Sequence, residues 1–257
     1  MTFSLHEIEW TPEKSARLWD YYSSSPAHWS QYFGAIAGPA VATFLGRHFD
    51  LSAKSTIVDV SCGRGDLVAA LRAVLPAGPR LGKRLVGLEF SEQSLVVCRA
   101  RFGLTMPDVE FDATSAVLAA GTLKADLLLA TEVVEHLDDG ELKRFFADLA
   151  RLAQPGATLF ISTPNSEDYS ASKVCCPDCG CVFHRWQHRR VWTAASLALY
   201  AESQGWTTTV CEAVDWGAFQ PDRRPWLRRV ASRVLARFSS PGPRTGLAYL
   251  GTFRKPG

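Results

Sequence analysis

The sequence predicts an α/β protein: one mainly parallel, seven-stranded β-sheet with an antiparallel edge, helices on both faces, and a helical lid at the N-terminus. Two observations carry this. Apolar, β-branched runs alternate with helical patterns from Ser55 to Thr163, the order expected when each parallel crossover is covered by a helix. The first of those runs also leads directly into Ser61-Cys62-Gly63-Arg64-Gly65-Asp66 and then a helix. A glycine-rich turn at the carboxyl end of a strand is where such sheets bind ligands.

The elements follow in order. Pro12–Tyr32 reads as helical and carries Trp19, Tyr21, Tyr22, Trp29 and Tyr32. Those rings either pack on the sheet or form a lid over its ligand, and residues 1–50 are taken as the lid segment. Strands are expected at Ser55–Val60, Arg84–Glu89, Val109–Asp112, Ala125–Ala130 and Ala157–Thr163, and helices at Leu67–Leu75, Glu92–Phe102 and Leu137–Ala153. A helix near Ala194–Gln204 and strands at Trp206–Val214 and Gly246–Phe253 complete the set. The two late strands supply the antiparallel edge. Residues 51–257 then form the main domain, with a cysteine-rich insertion at 170–192 and a basic helical insertion at 217–245. Pro76–Lys83 and Ser239–Thr245, rich in Gly and Pro, read as loops.

Composition narrows the class. With 257 residues, 47% hydrophobic and 21% charged, the chain is long enough for a full core and is not biased toward disorder. It has no apolar run of 18 residues, so no transmembrane helix is expected. The first residues lack the basic and apolar regions of a secretory signal. Of seven cysteines, four crowd into Cys175–Cys181, which fits a reducing cytoplasm better than a disulfide framework. Charge is uneven. From Pro221 onward there are nine Lys and Arg against one acid, Asp222, which suggests an anionic contact for the tail.

Beyond the turn, Glu89 closes the second strand and Asp112 the third, positions suited to gripping a ribose and an adenine. The third glycine of the dinucleotide fingerprint is absent, since position 68 is Val, which disfavours NAD. The blocks DVSCGRG (59–65), VGLEFS (86–91), VEFDAT (109–114) and DLLLATEVVEHL (126–137) together resemble class I, Rossmann-like S-adenosylmethionine-dependent methyltransferases. The resemblance implies that Asp59, Gly63 and Gly65 frame the methionine part of S-adenosyl-L-methionine. It likewise gives Glu89 the ribose and Asp112 with Ala113 the adenine, with Ser61, Phe90 and Thr131 completing the cofactor set.

Glu132, Glu135 and His136 follow the fourth strand at spacings that would share one side of a helical turn. Two carboxylates and an imidazole suit a divalent cation such as Mg²⁺ or Mn²⁺, although His136 could also act as a metal-free general base. Downstream lie Ser162-Thr163-Pro164-Asn165 and a histidine, His188, four residues before Trp192-Thr193. This arrangement is similar to the small-RNA 3′-terminal 2′-O-methyltransferases. The resemblance implies Glu132, Glu135, His136 and His188 as metal ligands, with His136 and Glu132 at the chemistry. Gln187 and Arg190-Val191 depart from that family. CPDCGCVFHRWQHRRVW is closer to bacterial saccharide-associated methyltransferases.

The leading expectation is therefore an O-methyltransferase acting on a sugar hydroxyl of a saccharide or glycoside with a divalent ion. Alternatives are the terminal ribose of RNA, a small phenolic or lipid-linked acceptor, and a non-catalytic binding module. Two further features stay open. Cys176 and Cys179 resemble half a zinc knuckle, to which His184, Cys175 or Cys181 could add ligands, but free thiols or a redox pair fit as well. Pro225–Phe238 reads as an amphipathic basic helix, either packed on the sheet edge or docking on a peripheral membrane, a phosphorylated sugar or RNA.

Overall fold

The computed structural model describes residues 3–75, 84–102, 123–220 and 245–254, and the backbone of Val109–Asp112. The expected loop Pro76–Lys83, Ala113 and the basic segment Pro225–Phe238 lie outside the described residues.

A two-residue strand β1 (His6–Glu7) precedes helices α1 (Pro12–Ser24) and α2 (Phe33–His48). Then come β2 (Thr56–Val60), α3 (Asp66–Val74), β3 (Arg84–Leu88), α4 (Glu92–Phe102), β4 (Val109–Asp112) and β5 (Ala125–Thr131). Helix α5 (Asp139–Leu152) runs directly into β6 (Ala153–Pro164). The insertion forms β7 (Lys173–Cys175) and β8 (Cys181–His184). Helix α6 (Ala194–Ser203), β9 (Trp206–Val214) and β10 (Gly246–Phe253) close the fold.

The seven-stranded sheet has the order β4-β3-β2-β5-β6-β10-β9. Its first five strands are parallel neighbours, and β10 runs antiparallel to both β6 and β9. The expected α/β architecture is therefore present, with the reversed strand one place inside the edge. The chain winds outward from β2 to β4 and then crosses back to β5. This puts the switch in strand order between β2 and β5.

Side-chain alternation explains the two layers. On β5, Leu127 and Leu129 face a core with Val41, Phe44 and Leu45 of α2 and Val68 and Leu71 of α3. Leu128 and Ala130 face the opposite core, with Leu142, Phe146 and Leu149 of α5 and Leu197 of α6. Of the N-terminal 50 residues, α2 thus serves as sheet cover, and α1 is the element that roofs the site.

A second sheet, β1-β8-β7, organises the cysteine-rich insertion. The sequence offered no sign of it, because two-residue strands carry no periodicity. The Glu132–His136 segment also differs from expectation. It is a turn, and helix α5 starts only at Asp139, where Asp138 and Glu141 form a capping box. Glu132 sits at φ 53°, a left-handed conformation that no helix interior accepts.

Candidate active site

The site lies beyond the carboxyl ends of β2 and β5. At both ends a non-glycine residue is held in the left-handed region, Ser61 at φ 65° and Glu132 at φ 53°. Backbone strain of this kind persists where surrounding structure enforces it, commonly at functional sites. Gly63 (φ 53°) and Gly65 (φ 72°) carry the rest of the turn, and Gly65 caps α3.

Glu89 organises this turn. Its Oε2 accepts from the Gly63 N–H (2.7 Å), and its Oε1 accepts from the N–H groups of Phe90 (2.9 Å) and Ser91 (3.0 Å). Burial raises the Glu89 carboxyl above its usual range, and these backbone donors oppose the shift. Asp59 lies beneath the turn, 1% exposed, with both carboxyl oxygens lacking a hydrogen-bond partner. Burial first, and the neighbouring Glu89 charge second, push its carboxyl up to about 8.

This has a measurable consequence. Asp59 keeps a proton in the fold that the unfolded chain releases near pH 4. Its contribution to stability is whole below that pH and is lost as pH rises toward 8. Asp59→Asn should therefore melt progressively higher than the parent between pH 5 and 8, at about 2–4 °C for each kcal/mol relieved. A melting difference that stays constant with pH would contradict the buried, protonated Asp59.

A single cavity of about 720 Å³ joins the turn to the Glu132–His136 segment. Ser61, Gly63, Glu89 and Phe90 line one end, and Thr131, Glu132, His136 and His188 the other. Phe90, at 60% exposure, stands at the rim. Asp112 ends β4, next to Leu88 in register. Helix α1 forms the roof. Trp19 packs edge-on to His136 with ring centroids 5.1 Å apart. Its Nε1 donates to Gln187 Oε1 (2.6 Å), and Gln187 Nε2 donates to Ser15 Oγ (2.7 Å). Gln187 thus uses both ends of its amide to clasp the roof to the insertion. On the other side, Ser91 Oγ donates to Asp20 Oδ1 (3.1 Å).

The polar end is built from facing strand ends. Ser162 Oγ donates to Glu132 Oε1 (2.9 Å), and Thr163 Oγ1 donates to Glu135 Oε2 (2.8 Å). Glu135 is 1% exposed, and its Oε1 has no hydrogen-bond partner. That oxygen lies 3.7 Å from His136 Nε2. Ligand atoms of Glu135, His136 and His188 all fall within 4.8 Å of one another. Glu132 neighbours Glu135 but is not one of the three converging groups. Burial raises Glu132 to about 7 and also raises Glu135, which the Glu132 charge pushes further. Burial, with His188 alongside, lowers His136 to about 3, leaving a neutral ring with a lone pair to offer.

Two residues adjoin this cluster that the sequence did not single out for it. Glu167 contacts both His188 and His184. Burial pushes its carboxyl up, but the two imidazoles beside it hold it at about 2. His184 is fully buried, stacked between Tyr169 and His188. A carboxylate three residues after Pro164, opposite an HxxxH repeat, was the available signal.

The cysteine cluster stands apart. The Cys176 sulfur accepts from the N–H groups of Cys179 and Asp178 and hydrogen-bonds the Cys179 thiol, which lowers its pKa. Among the described residues, no group of three or more converging ligands contains a cysteine. His184, a candidate fellow ligand, faces Glu167 instead. Two thiols are half a closed zinc site.

Residues 28–210 match a family model described as a methyltransferase domain. The chain belongs to the methyltransferase domain family. Ubiquinone biosynthesis O-methyltransferase from Brucella ovis is 30% identical over 109 residues, which is 42% of this chain and 40% of that protein. The protein of the same name from Mesorhizobium japonicum is 33% identical over 110 residues, 42% of this chain and 41% of that one. The chain thus spans about two-fifths of these relatives' length.

Among solved structures, this methyltransferase is similar to 1,6-didemethyltoxoflavin-N1-methyltransferase from Burkholderia thailandensis, determined with 1,6-didemethyltoxoflavin and S-adenosylhomocysteine. The TM-score is 0.62 at 15% identity, covering 98% of this chain and 94% of that one. The N-methyltransferase NodS from Bradyrhizobium japonicum, in complex with S-adenosylhomocysteine, gives 0.58 at 12% identity, covering 94% and 99%. At such identities these likenesses bear on the fold. Family and fold together make this a methyltransferase domain on a mainly parallel, Rossmann-like α/β sheet. Among the described residues no helix is long and apolar enough to cross a membrane.

Proposed function

We propose that this methyltransferase transfers the methyl group of S-adenosylmethionine to a hydroxyl oxygen of a saccharide or glycoside, with a divalent cation holding the acceptor. The observation that carries the reading is convergence. One cavity contains the Ser61–Gly65 turn at one end and the Glu132, His136 and His188 side chains at the other. On this reading, the turn, Glu89, Phe90, Asp112 and Thr131 receive the cofactor, and the acceptor lies under Trp19.

The donor set fits a hard divalent ion. Glu135 Oε1 is a buried atom without a hydrogen-bond partner, His136 Nε2 lies 3.7 Å from it, and Glu135, His136 and His188 already converge. Glu132, whose carboxyl burial raises to about 7, would join on losing its proton. A bound Mg²⁺ or Mn²⁺ would act as a Lewis acid that lowers the acceptor hydroxyl's pKa. The chain's own residues do the positioning. Ser162 and Thr163 fix the two carboxylates, and the α1 roof excludes water and aligns the acceptor with the methyl sulfonium.

Support for a sugar over other hydroxyls comes from the lining. Trp19, Tyr32 and Trp186 offer flat apolar faces beside the amide of Gln31, a mixture that suits a pyranose. A phenolic acceptor is the second reading, favoured by the O-methyltransferase name of the relatives.

Labelled cofactor incubated with oligosaccharides, phenols and small RNAs, with EDTA and with added Mg²⁺ or Mn²⁺, separates these. Labelling of saccharides alone, lost in EDTA and restored by metal, is expected. Labelling of phenols alone would refute the sugar acceptor, and full activity in EDTA would refute the metal.

A further inference from the structure

His184 is buried and Glu167 half-buried against the cluster, yet the proposed reaction gives them no part. The Nδ1 of His184 accepts two backbone N–H groups, from Trp186 (3.3 Å) and His188 (3.2 Å). A ring nitrogen facing two donors must carry the lone pair, so the proton of His184 sits on Nε2. That Nε2 faces Glu167 Oε1 at 3.4 Å, an ion-pair contact outside hydrogen-bond geometry that leaves Glu167 as the nearest acceptor for its proton. The other carboxylate oxygen, Oε2, is 2.5 Å from Nδ1 of His188. A carboxylate is an acceptor on both oxygens. Its contact therefore fixes the proton of His188 on Nδ1 and leaves Nε2 as the free lone pair.

The same three residues, Glu167, His184 and His188, also bring ligand atoms within 4.8 Å of one another. A second cation there would need the Nε2 lone pair of His184. The two backbone donors on Nδ1 deny it, so this trio reads as an orienting chain and not as a second metal site.

We propose that Glu167 and His184 are positioning residues: a backbone–His184–Glu167–His188 chain that locks the His188 tautomer and presents its Nε2 to Glu135 and His136. The inference rests on reading Glu135, His136 and His188 as a ligand set. Carboxylates commonly orient metal-binding imidazoles in this way, and removing one typically costs 10- to 100-fold in metal affinity. The turn from His184 to His188 makes the arrangement local, since Gln187 N–H donates back to the His184 carbonyl (2.8 Å). Stacking of the two imidazoles, with centroids 4.3 Å apart and planes at 20°, holds their relative orientation.

The test separates orientation from metal binding. Long-range ¹H–¹⁵N NMR of metal-free, histidine-labelled protein should place the His184 proton on Nε2 and the His188 proton on Nδ1. In Glu167→Gln, His188 should shift toward the Nε2–H tautomer. Its Mn²⁺ affinity, measured by titration, should fall about 10- to 100-fold while S-adenosylhomocysteine binding is retained. Glu167→Asp should recover part of that loss and guards against a folding defect in the first variant. A His188 proton on Nε2 in the parent, or a Glu167→Gln protein with unchanged tautomer and Mn²⁺ affinity, would overturn the proposal. A parent that keeps the stated tautomers but binds no Mn²⁺ or Mg²⁺ would overturn the metal reading and leave the orienting chain standing.

Discussion

Glu135→Gln is expected to lower methyl transfer by about three orders of magnitude, equivalent to roughly 4 kcal/mol of transition-state stabilisation, while S-adenosylhomocysteine still binds within about twofold. The substitution preserves shape and keeps an acceptor for Thr163 Oγ1, whose hydrogen bond to Oε2 is 2.8 Å. What it removes is the negative charge facing His136 and His188. Without that charge a divalent cation loses its most enclosed ligand. A buried carboxyl raised by desolvation and by Glu132 also burdens the metal-free fold. The variant should therefore melt at the same temperature as the metal-free parent or higher. The combination is diagnostic, since a structural role would lower activity and stability together. Steady-state kinetics, calorimetric binding and a thermal melt check it. An active Glu135→Gln protein would remove the residue from the chemistry.

Glu89→Ala should act at the other end of the cavity, weakening S-adenosylhomocysteine binding by more than about 100-fold. Glu89 is the common acceptor for the Gly63, Phe90 and Ser91 N–H groups. Removing it deprives three backbone donors at the β2 and β3 ends of their partner, at about 1–3 kcal/mol for each one left buried. The turn then loses the geometry that lets a ligand approach Gly63. Glu89→Gln keeps one acceptor oxygen and should fall between the two. Calorimetric titration of both variants measures this. Wild-type affinity in Glu89→Ala would mean that the turn is held by its glycines alone.

Much of the fold was legible because it follows from periodicity. The alternation on β5 separates Leu127 and Leu129 from Leu128 and Ala130, and the strand–helix order dictates a covered parallel sheet. The Asp138–Glu141 capping box was also readable. Continuing the helical pattern back to Leu137, and treating Glu132–His136 as a helical turn, missed the stop it imposes. The small β1-β8-β7 sheet was not legible at all. It depends on pairing His6–Glu7 with Cys181–Val182, partners far apart in sequence with too few residues for a pattern.

The candidate site divides in the same way. Its cofactor end was visible as a strand, a glycine-rich turn and a carboxylate closing the next strand, because these signals are local. For Glu132, Glu135, His136 and His188 the sequence supplied residue types and a resemblance. Only the packed chain brings His188 beside Glu135 and His136, with Glu167 and His184 behind it. By itself the sequence determined the layers and the chemistry on offer, since backbone periodicity and side-chain type are properties of each segment. The tertiary structure decided which groups share protons, which oxygens are left without partners, and which imidazole nitrogen faces the cavity. Those are set by burial and by contacts between distant segments, and no segment carries them alone.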